Sequence, residues 1–273
     1  MKQIQLLAID MDGTLMRDDK TISDTDIEAI RELITSGVEV IAASGRPLAF
    51  LPEEVLDLPI KYAIVLNGAA IIDFQSGEMI YHQTMDNEMA SSFIYALMQM
   101  DVWISLESSH GIYQWGNNVD KIAQYFPMIH NFRGEKVADL RAILEDRSFP
   151  LEKIGIRTLP ENQQRILDLQ RQFIGLNIME VGQGAIEAND RMSSKGAALK
   201  WLTQHLGISR ENTAAIGDSD NDLIMLSYSV HSFAMANATA FVKNICRYQT
   251  TSNENNGVKN AIAQIIKINN SAD

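Results

Sequence analysis

Ile4-Gln5-Leu6-Leu7-Ala8-Ile9-Asp10-Met11-Asp12-Gly13-Thr14-Leu15 opens on an apolar run and ends in two carboxylates and a Gly-Thr turn. Ile4–Ile9 reads as a buried strand. Strand alternation aims Asp10 and Asp12 at one face, where mutual repulsion raises the cost of keeping both ionised. A hydrophobic strand with such a tip either binds a cation or is set up for phosphate chemistry. Taken by itself, Asp-x-Asp-Gly also fits a calcium-type loop or a plain turn.

The sequence beyond this run supplies a scaffold for it. Ser23 caps a predicted helix running to about Ser36, with Ile27, Ile30, Leu33 and Ile34 on one face, and Gly37 ends it. Val38–Ala42 is a second strand, Pro47 opens a helix, and Tyr62–Leu66 is a third strand. Strands separated by helices imply right-handed crossovers and a parallel sheet. Ligands of such sheets gather beyond the carboxyl ends of the strands. Asp10, Ser44 and Asn67 each sit just past a predicted strand, so all three can converge there.

After Asn67-Gly68 the pattern changes. Ala69–Asp73 and Glu78–Gln83 read as a hairpin around Gln75-Ser76-Gly77, followed by a Met-rich helix from about Asp86 to Met100. Strands are expected at Val102–Glu107, Gly111–Trp115 and Lys153–Thr158, with helical segments near Asp120–Phe126, Val137–Glu145 and Pro160–Phe173. Leu176–Val181 and Ala185–Ala188 form another hairpin. From Ser193 the alternation returns: helix Ser194–Leu206, strand Thr213–Ile216, helix Asp220–Leu226, strand Val230–Met235 and a last helix at about Val258–Lys267. The Asn-rich tail after Ile268 is expected to fray. The fold class is therefore α/β: a doubly wound, Rossmann-like parallel-sheet core, residues 1–82 and 190–273, interrupted by an α+β insertion at 83–189.

At 273 residues the chain is long enough for one large domain or two smaller ones. A net charge of -12 argues against nucleic-acid binding, which needs basic patches. Its plain meaning is solubility. An acidic chain that handles anionic substrates must also build local positive charge from a metal, a few cations or backbone amides. Cys246 is the only cysteine, so no internal disulfide forms and a reducing compartment is expected. No apolar run reaches the roughly 20 residues of a membrane span, and the first residues lack a signal-type apolar region. A soluble, cytoplasmic protein with no membrane partner is the expectation.

Four separated pieces share one chemistry. Asp10-Met-Asp12-Gly-Thr is the first. Ala43-Ser44-Gly45-Arg46 places a hydroxyl and flexible backbone after the second strand. Lys195 starts a helix, and Gly217-Asp218-Ser-Asp220-Asn221-Asp222 clusters carboxylates at a strand-to-helix turn. Together they supply a nucleophile, an anion cradle, a fixed cation and a metal site. Singly, each has an ordinary reading as a turn, a solvated lysine or an acidic helix cap. The five histidines show no metal-ligand spacing, so zinc is not expected.

In this order, the pieces resemble the four motifs of the haloacid dehalogenase-like hydrolase superfamily, in particular its Cof-type sugar-phosphatase branch. Met235-Ala-Asn237-Ala238 and Gly257-Val258 extend the resemblance, and the insertion resembles that family's type C2B cap, which confers substrate specificity. The resemblance implies that Asp10 attacks phosphorus to give an aspartyl-phosphate, while Asp12 protonates the leaving alkoxide and then deprotonates water. It implies Mg2+ on Asp10, the Asp12 carbonyl and Asp218, with Met11, Ser44, the Gly45 amide, Lys195 and Asn221 holding the phosphate. Asp222 either ligates the metal or orients Lys195, the second being favoured. Asp220 is expected to be exposed, and Arg46 is open between a phosphate contact and a structural ion pair. Ser44, Ala236 and Asn256 depart from the family's commoner threonine, glycine and acid without touching the proposed nucleophile.

The implied activity is Mg2+-dependent hydrolysis of small phosphorylated metabolites, sugar phosphates foremost, by a monomer or weak homodimer. A phosphomutase sharing the intermediate and a non-catalytic phosphosugar sensor are the competing readings. Pyridoxal phosphate, erythrose phosphate and flavin mononucleotide all remain candidate substrates.

Overall fold

The structure is a computed structural model that describes residues 3–146 and 148–271. Strand β1 (Leu6–Asp10) is buried along its whole length, as a strand in a parallel sheet covered on both faces must be. The chain continues through α1 (Asp24–Thr35), β2 (Glu39–Ala43), the short α2 (Glu53–Leu56) and β3 (Tyr62–Val65). It then folds back as the antiparallel β4 (Ala70–Asp73) and β5 (Glu78–His82).

The first unit ends at His82 and resumes at Ser194; the second is Gln83–Ser193. In the second unit α3 (Asn87–Leu97), β6 (Val102–Ser108), β7 (Gly111–Gly116), α4 (Val119–Ala123), β8 (Glu135–Lys136) and α5 (Arg141–Glu145) follow one another. They lead to β9 (Lys153–Thr158), α6 (Pro160–Asp168), β10 (Leu176–Gly182) and β11 (Ala185–Asp190). Its six strands run in the order β10-β11-β9-β6-β7-β8, antiparallel except for the β7–β8 pair. Alternate residues Ile104, Leu106, Ile154, Ile156, Ile186 and Ala188 share an apolar cluster with Phe93, Ile94 and Leu97 of α3. On the opposite face Trp103 joins a second apolar cluster with Ile122, Ile129 and Leu159, and Ser105, Glu107 and Lys153 are buried as well.

The first unit is completed by α7 (Lys195–His205), β12 (Thr213–Gly217), α8 (Leu223–Tyr228), β13 (His231–Ala234), α9 (Ala240–Ile245), β14 (Tyr248–Gln249) and α10 (Gly257–Asn270). Its eight strands lie in the order β14-β13-β12-β1-β2-β3-β4-β5, parallel from β14 to β3. The fold is thus a doubly wound α/β sheet. Strand order reverses between β1 and β12, where Ala8 pairs with Ala215 and Ile9 with Ile216. That reversal opens a crevice at the carboxyl ends of the two strands, the place where such sheets bind ligands. Among the described residues, no helix is long and apolar enough to cross a membrane.

Several elements differ from the sequence expectation for identifiable reasons. Pro47 starts only a single 3-10 turn at Leu48–Phe50. Pro52 then forces Leu51 to extended backbone, at ψ 143, and splits the helix. Of Val137–Glu145 only Arg141–Glu145 is helical, because the Asp139 carboxylate accepts from the Arg141 amide and starts the helix there. The two-residue strands β8 and β14, and helix α9, carry too little periodicity to be read. Up to residue 271 the tail does not fray: α10 runs to Asn270, and Asn269 accepts from Ile4 N at 2.7 Å and donates to Ile4 O at 3.1 Å, while the last two residues lie outside the described ones.

Candidate active site

Asp10 ends β1, and Gly217 ends the adjacent β12, so Asp10 and Asp218 emerge side by side from the crevice. Helix α7 begins in the same place. Ser194 caps it by accepting from the Ala197 amide at 3.0 Å, which fixes Lys195 at the first helical position. The left-handed Gly68 turn after β3 lies against this start; a Cβ there would come within 2.2 Å of Ser194 O. Only glycine allows that approach.

Lys195 is 1% exposed, and its ammonium donates to Asp10 Oδ1 at 2.5 Å and to Asp222 Oδ1 at 2.7 Å. The second oxygen of Asp222 accepts from the Asp218 and Ser219 amides at 3.0 and 3.2 Å. Asp222 therefore has both oxygens committed to the lysine and the turn. Asp218 accepts from Thr14 Oγ1 at 3.1 Å. Gly13, at φ +80, lets Asp218 close in; a Cβ there would lie 2.5 Å from Asp218 Oδ2. Asp10 Oδ2, by contrast, is buried with no hydrogen-bond partner among the described residues.

Electrostatics follows from this packing. Burial, then the Asp222 charge, raises the Asp10 carboxyl well above the usual range, although Lys195 opposes the rise. Burial and Asp222 likewise push Asp218 up to about 6. Burial alone would lower the Lys195 ammonium, but Asp10 and Asp222 together hold it above its ordinary value. Three carboxylates against one lysine leave the cluster short of positive charge. Asp10, Asp218 and Asp222 each offer an oxygen within 4.8 Å of the others. An all-oxygen donor set with an orphaned carboxylate oxygen suits a hard divalent cation.

Asp12 is arranged differently. Its carboxylate receives Arg46 Nε on Oδ2 and Arg46 Nη2 on Oδ1, both at 2.7 Å, with Lys20 Nζ also on Oδ1 at 3.0 Å. Partial burial pushes the Asp12 carboxyl up, but these cations outweigh it and bring it down to about 2. The sequence left Arg46 open; in the structure it forms a two-pronged ion pair with Asp12.

Ser44 is buried, donates its amide to Ile64 O at 2.8 Å and accepts from Asn67 N at 3.0 Å. A Cβ on Gly45 would come within 2.6 Å of Asn67 Oδ1. The loops after β2 and β3 are thus packed together beside β1. Met11 buries its side chain in the apolar core, and Asp220 is exposed. Asn221 is half-buried and its Oδ1 accepts from Ser219 Oγ at 2.7 Å.

Lys20 carries no sequence signal, and Thr14 and Asn237 stand in motifs that assign them no role. Asn237 and Asn253 form a second device. Asn237 donates to Gly13 O at 2.7 Å and accepts from Asn253 N at 3.1 Å, while Asn253 donates to Met16 O at 3.2 Å. They clamp the loop that follows Asp12.

Comparison with known proteins agrees with this geometry. The family pattern of the haloacid dehalogenase-like hydrolases matches residues 7–262, and the chain belongs to that family. It is 32% identical over 261 residues to the 5-amino-6-(5-phospho-D-ribitylamino)uracil phosphatase YcsE of Bacillus subtilis, covering 95% of this chain and 94% of the relative. A second such phosphatase of B. subtilis, YitU, is 28% identical over 256 residues, covering 93% and 94%. The crystal structure of a haloacid dehalogenase-like hydrolase from Bacteroides thetaiotaomicron superposes with a TM-score of 0.84 at 26% identity, covering 96% of this chain and all of the other. Within the family, the chain is a Cof-type phosphatase, a hydrolase of phosphoric monoesters.

Proposed function

We propose that the protein hydrolyses small phosphorylated metabolites, sugar phosphates or their polyol relatives, with Mg2+ and through an aspartyl-phosphate on Asp10. The observation that carries this reading is Lys195, buried between Asp10 and Asp222 beside an Asp10 oxygen with no partner. A phosphomonoester dianion repels nucleophiles, so charge must be neutralised before a carboxylate can attack. Lys195 supplies one fixed positive charge. Asp10, Asp218 and the Asp12 carbonyl would hold Mg2+, which when bound supplies the remaining neutralisation and orients the phosphate.

In the first step Asp10 attacks phosphorus and the ester P–O bond breaks; Asp12, ionised in its ion pair with Arg46 and Lys20, takes up a proton before passing one to the departing alkoxide. In the second, water attacks phosphorus, Asp12 takes the water's proton, and the Asp10 carboxylate is released with inorganic phosphate. Ser44, the Gly45 amide, the Met11 position, Asn221 and Lys195 hold the phosphate oxygens. Asp222 orients Lys195: its Oδ1 accepts from the ammonium while its Oδ2 is held by the Asp218 and Ser219 amides.

The inserted unit selects the leaving group. The phosphoribityl substrate named for YcsE and YitU is the chemical precedent for a phosphorylated polyol or sugar. We take the enzyme to work in the cytoplasm as a monomer or weak homodimer. A phosphomonoester panel assayed for free phosphate, with Mg2+ and with EDTA, tests the reading. Phosphate release that EDTA abolishes and Mg2+ restores is expected. Isomer formation without phosphate release would make the enzyme a mutase, and binding without turnover would make it a sensor.

A further inference from the structure

The hydrogen bonds at Asp12 distinguish its two oxygens. A carboxylate oxygen has two lone pairs to offer. Oδ1 receives both Arg46 Nη2 and Lys20 Nζ, whereas Oδ2 receives only Arg46 Nε. Oδ1 is saturated and Oδ2 keeps one lone pair open. The guanidinium is a rigid planar fork, so two N–H contacts fix both the position and the plane of the carboxylate. Arg46 is fixed in turn: its Nη1 donates to Phe50 O at 3.2 Å and its amide to Ser44 Oγ at 3.1 Å. Ser44 and Arg46 share one loop, so a displacement of the phosphate cradle is passed directly to Asp12.

We propose that Arg46 is the positioning residue of the hydrolytic half-reaction, presenting Asp12 Oδ2 as the atom that takes the proton of the attacking water. This rests on the Proposed function, in which Asp12 carries that proton. The water oxygen bonds to phosphorus, its proton passes to Oδ2, and the phosphorus bond to Asp10 breaks with its electron pair returning to the Asp10 carboxylate. Lys20 holds only the saturated oxygen, and its side chain is 60% exposed. It assists the fork without defining it. The Arg46 guanidinium donates to Asp12 and to Phe50 O, so it acts through Asp12.

p-Nitrophenyl phosphate isolates this half-reaction, because nitrophenolate is a good leaving group and needs little acid assistance to depart. Wild-type, Arg46→Gln, Arg46→Lys and Asp12→Asn enzymes are mixed with it in stopped flow with Mg2+. Arg46→Gln should release about one nitrophenolate per enzyme in a burst, then turn over about 10- to 100-fold more slowly than wild type. The burst itself counts folded, nucleophile-competent sites, so a folding defect is visible as lost amplitude. Arg46→Lys keeps the charge but loses the fork, and should also burst and turn over slowly.

Wild-type steady-state rates in Arg46→Lys would overturn the proposal, since charge alone would then suffice. A burst in Asp12→Asn without one in fully folded Arg46→Gln, as judged by circular dichroism, would overturn it as well. If Asp12→Asn itself turns over like wild type without a burst, the reading of Asp12 under Proposed function fails instead.

Discussion

Each unit of this chain buries a lysine between two carboxylates, and the two trios are built in opposite ways. In the inserted unit, Lys153 lies 2.9 Å from Glu107 Oε2 and 3.0 Å from Glu187 Oε1, and Ser105 Oγ donates to Glu107 Oε1 at 2.8 Å. All four residues belong to three neighbouring strands, with Glu107 and Lys153 directly opposite in the β6–β9 register. The cluster is held on a rigid sheet and closes on itself. In the first unit, Lys195 joins residues from the end of β1 and the turn after β12, far apart in sequence and brought together only by the sheet's reversal. There Asp10 Oδ2 is left without a partner and Asp218 adds a third carboxylate. A lysine between two acids is therefore no mark of a site; an excess carboxylate at a strand-order reversal is.

The largest test of that contrast is chemical. Asp10→Asn should lower phosphatase turnover by about 10^4-fold or more while leaving the fold intact. Because the native state favours the neutral form of Asp10, the metal-free variant should melt no lower than wild type in calorimetry. Lys153→Met should do the reverse. Removing one member of a buried ion pair costs about 3–5 kcal/mol, so urea unfolding should shift strongly. Turnover of p-nitrophenyl phosphate, measured well below the midpoint, should stay within about twofold of wild type. A thousandfold loss in Lys153→Met with an unchanged unfolding midpoint would erase the distinction.

The two trios should also answer to pH in different windows. Asp10 and Asp218 have folded values above their unfolded ones, Asp218 at about 6. The metal-free native state therefore binds more protons: Asp218 withdraws stability as pH rises from about 4 through 6, and Asp10 withdraws more as pH rises above the ordinary carboxylate range. Mg2+ should restore it, with apparent affinity weakening as pH falls below about 6. Lys153 is raised by Glu107 and Glu187 against the lowering effect of burial, so its contribution is intact below the ordinary lysine value and lost only in strong alkali. Melting curves from pH 4 to 8 with and without Mg2+ check the first, and curves carried into strong alkali check the second. The smallest effect belongs to neither trio: Asn269→Ala removes two hydrogen bonds to Ile4. It should cost about 1–2 kcal/mol in urea unfolding without altering kcat.

Legibility in the sequence followed the range of the interaction. β1, α1 and β9 were readable because apolar periodicity is local; the places of Asp10, Ser44 and Asp218 were readable because their strand ends were, and that of Lys195 because its helix start was. Arg46 on Asp12 was not, since it depends on which way a loop side chain turns. Asn253 was silent, and Thr14 and Asn237 stood in motifs without a role: each is an ordinary polar residue until the loop after Asp12 is packed against it. Asn269 was read as tail because polar composition hides a side chain that pairs with a backbone 265 residues away.

The reversal of strand order also bears on the chain as it is synthesised. The strand that carries Asp10 leaves the ribosome first, but its neighbour β12 begins only at Thr213, after the whole inserted unit has been made. Until Lys195 has followed, Asp10 has no buried counter-charge, and until Asp218 has followed, no companion carboxylate. A half-translated chain therefore carries Asp10 on an open strand edge, without the lysine that pairs with it or the carboxylate beside it.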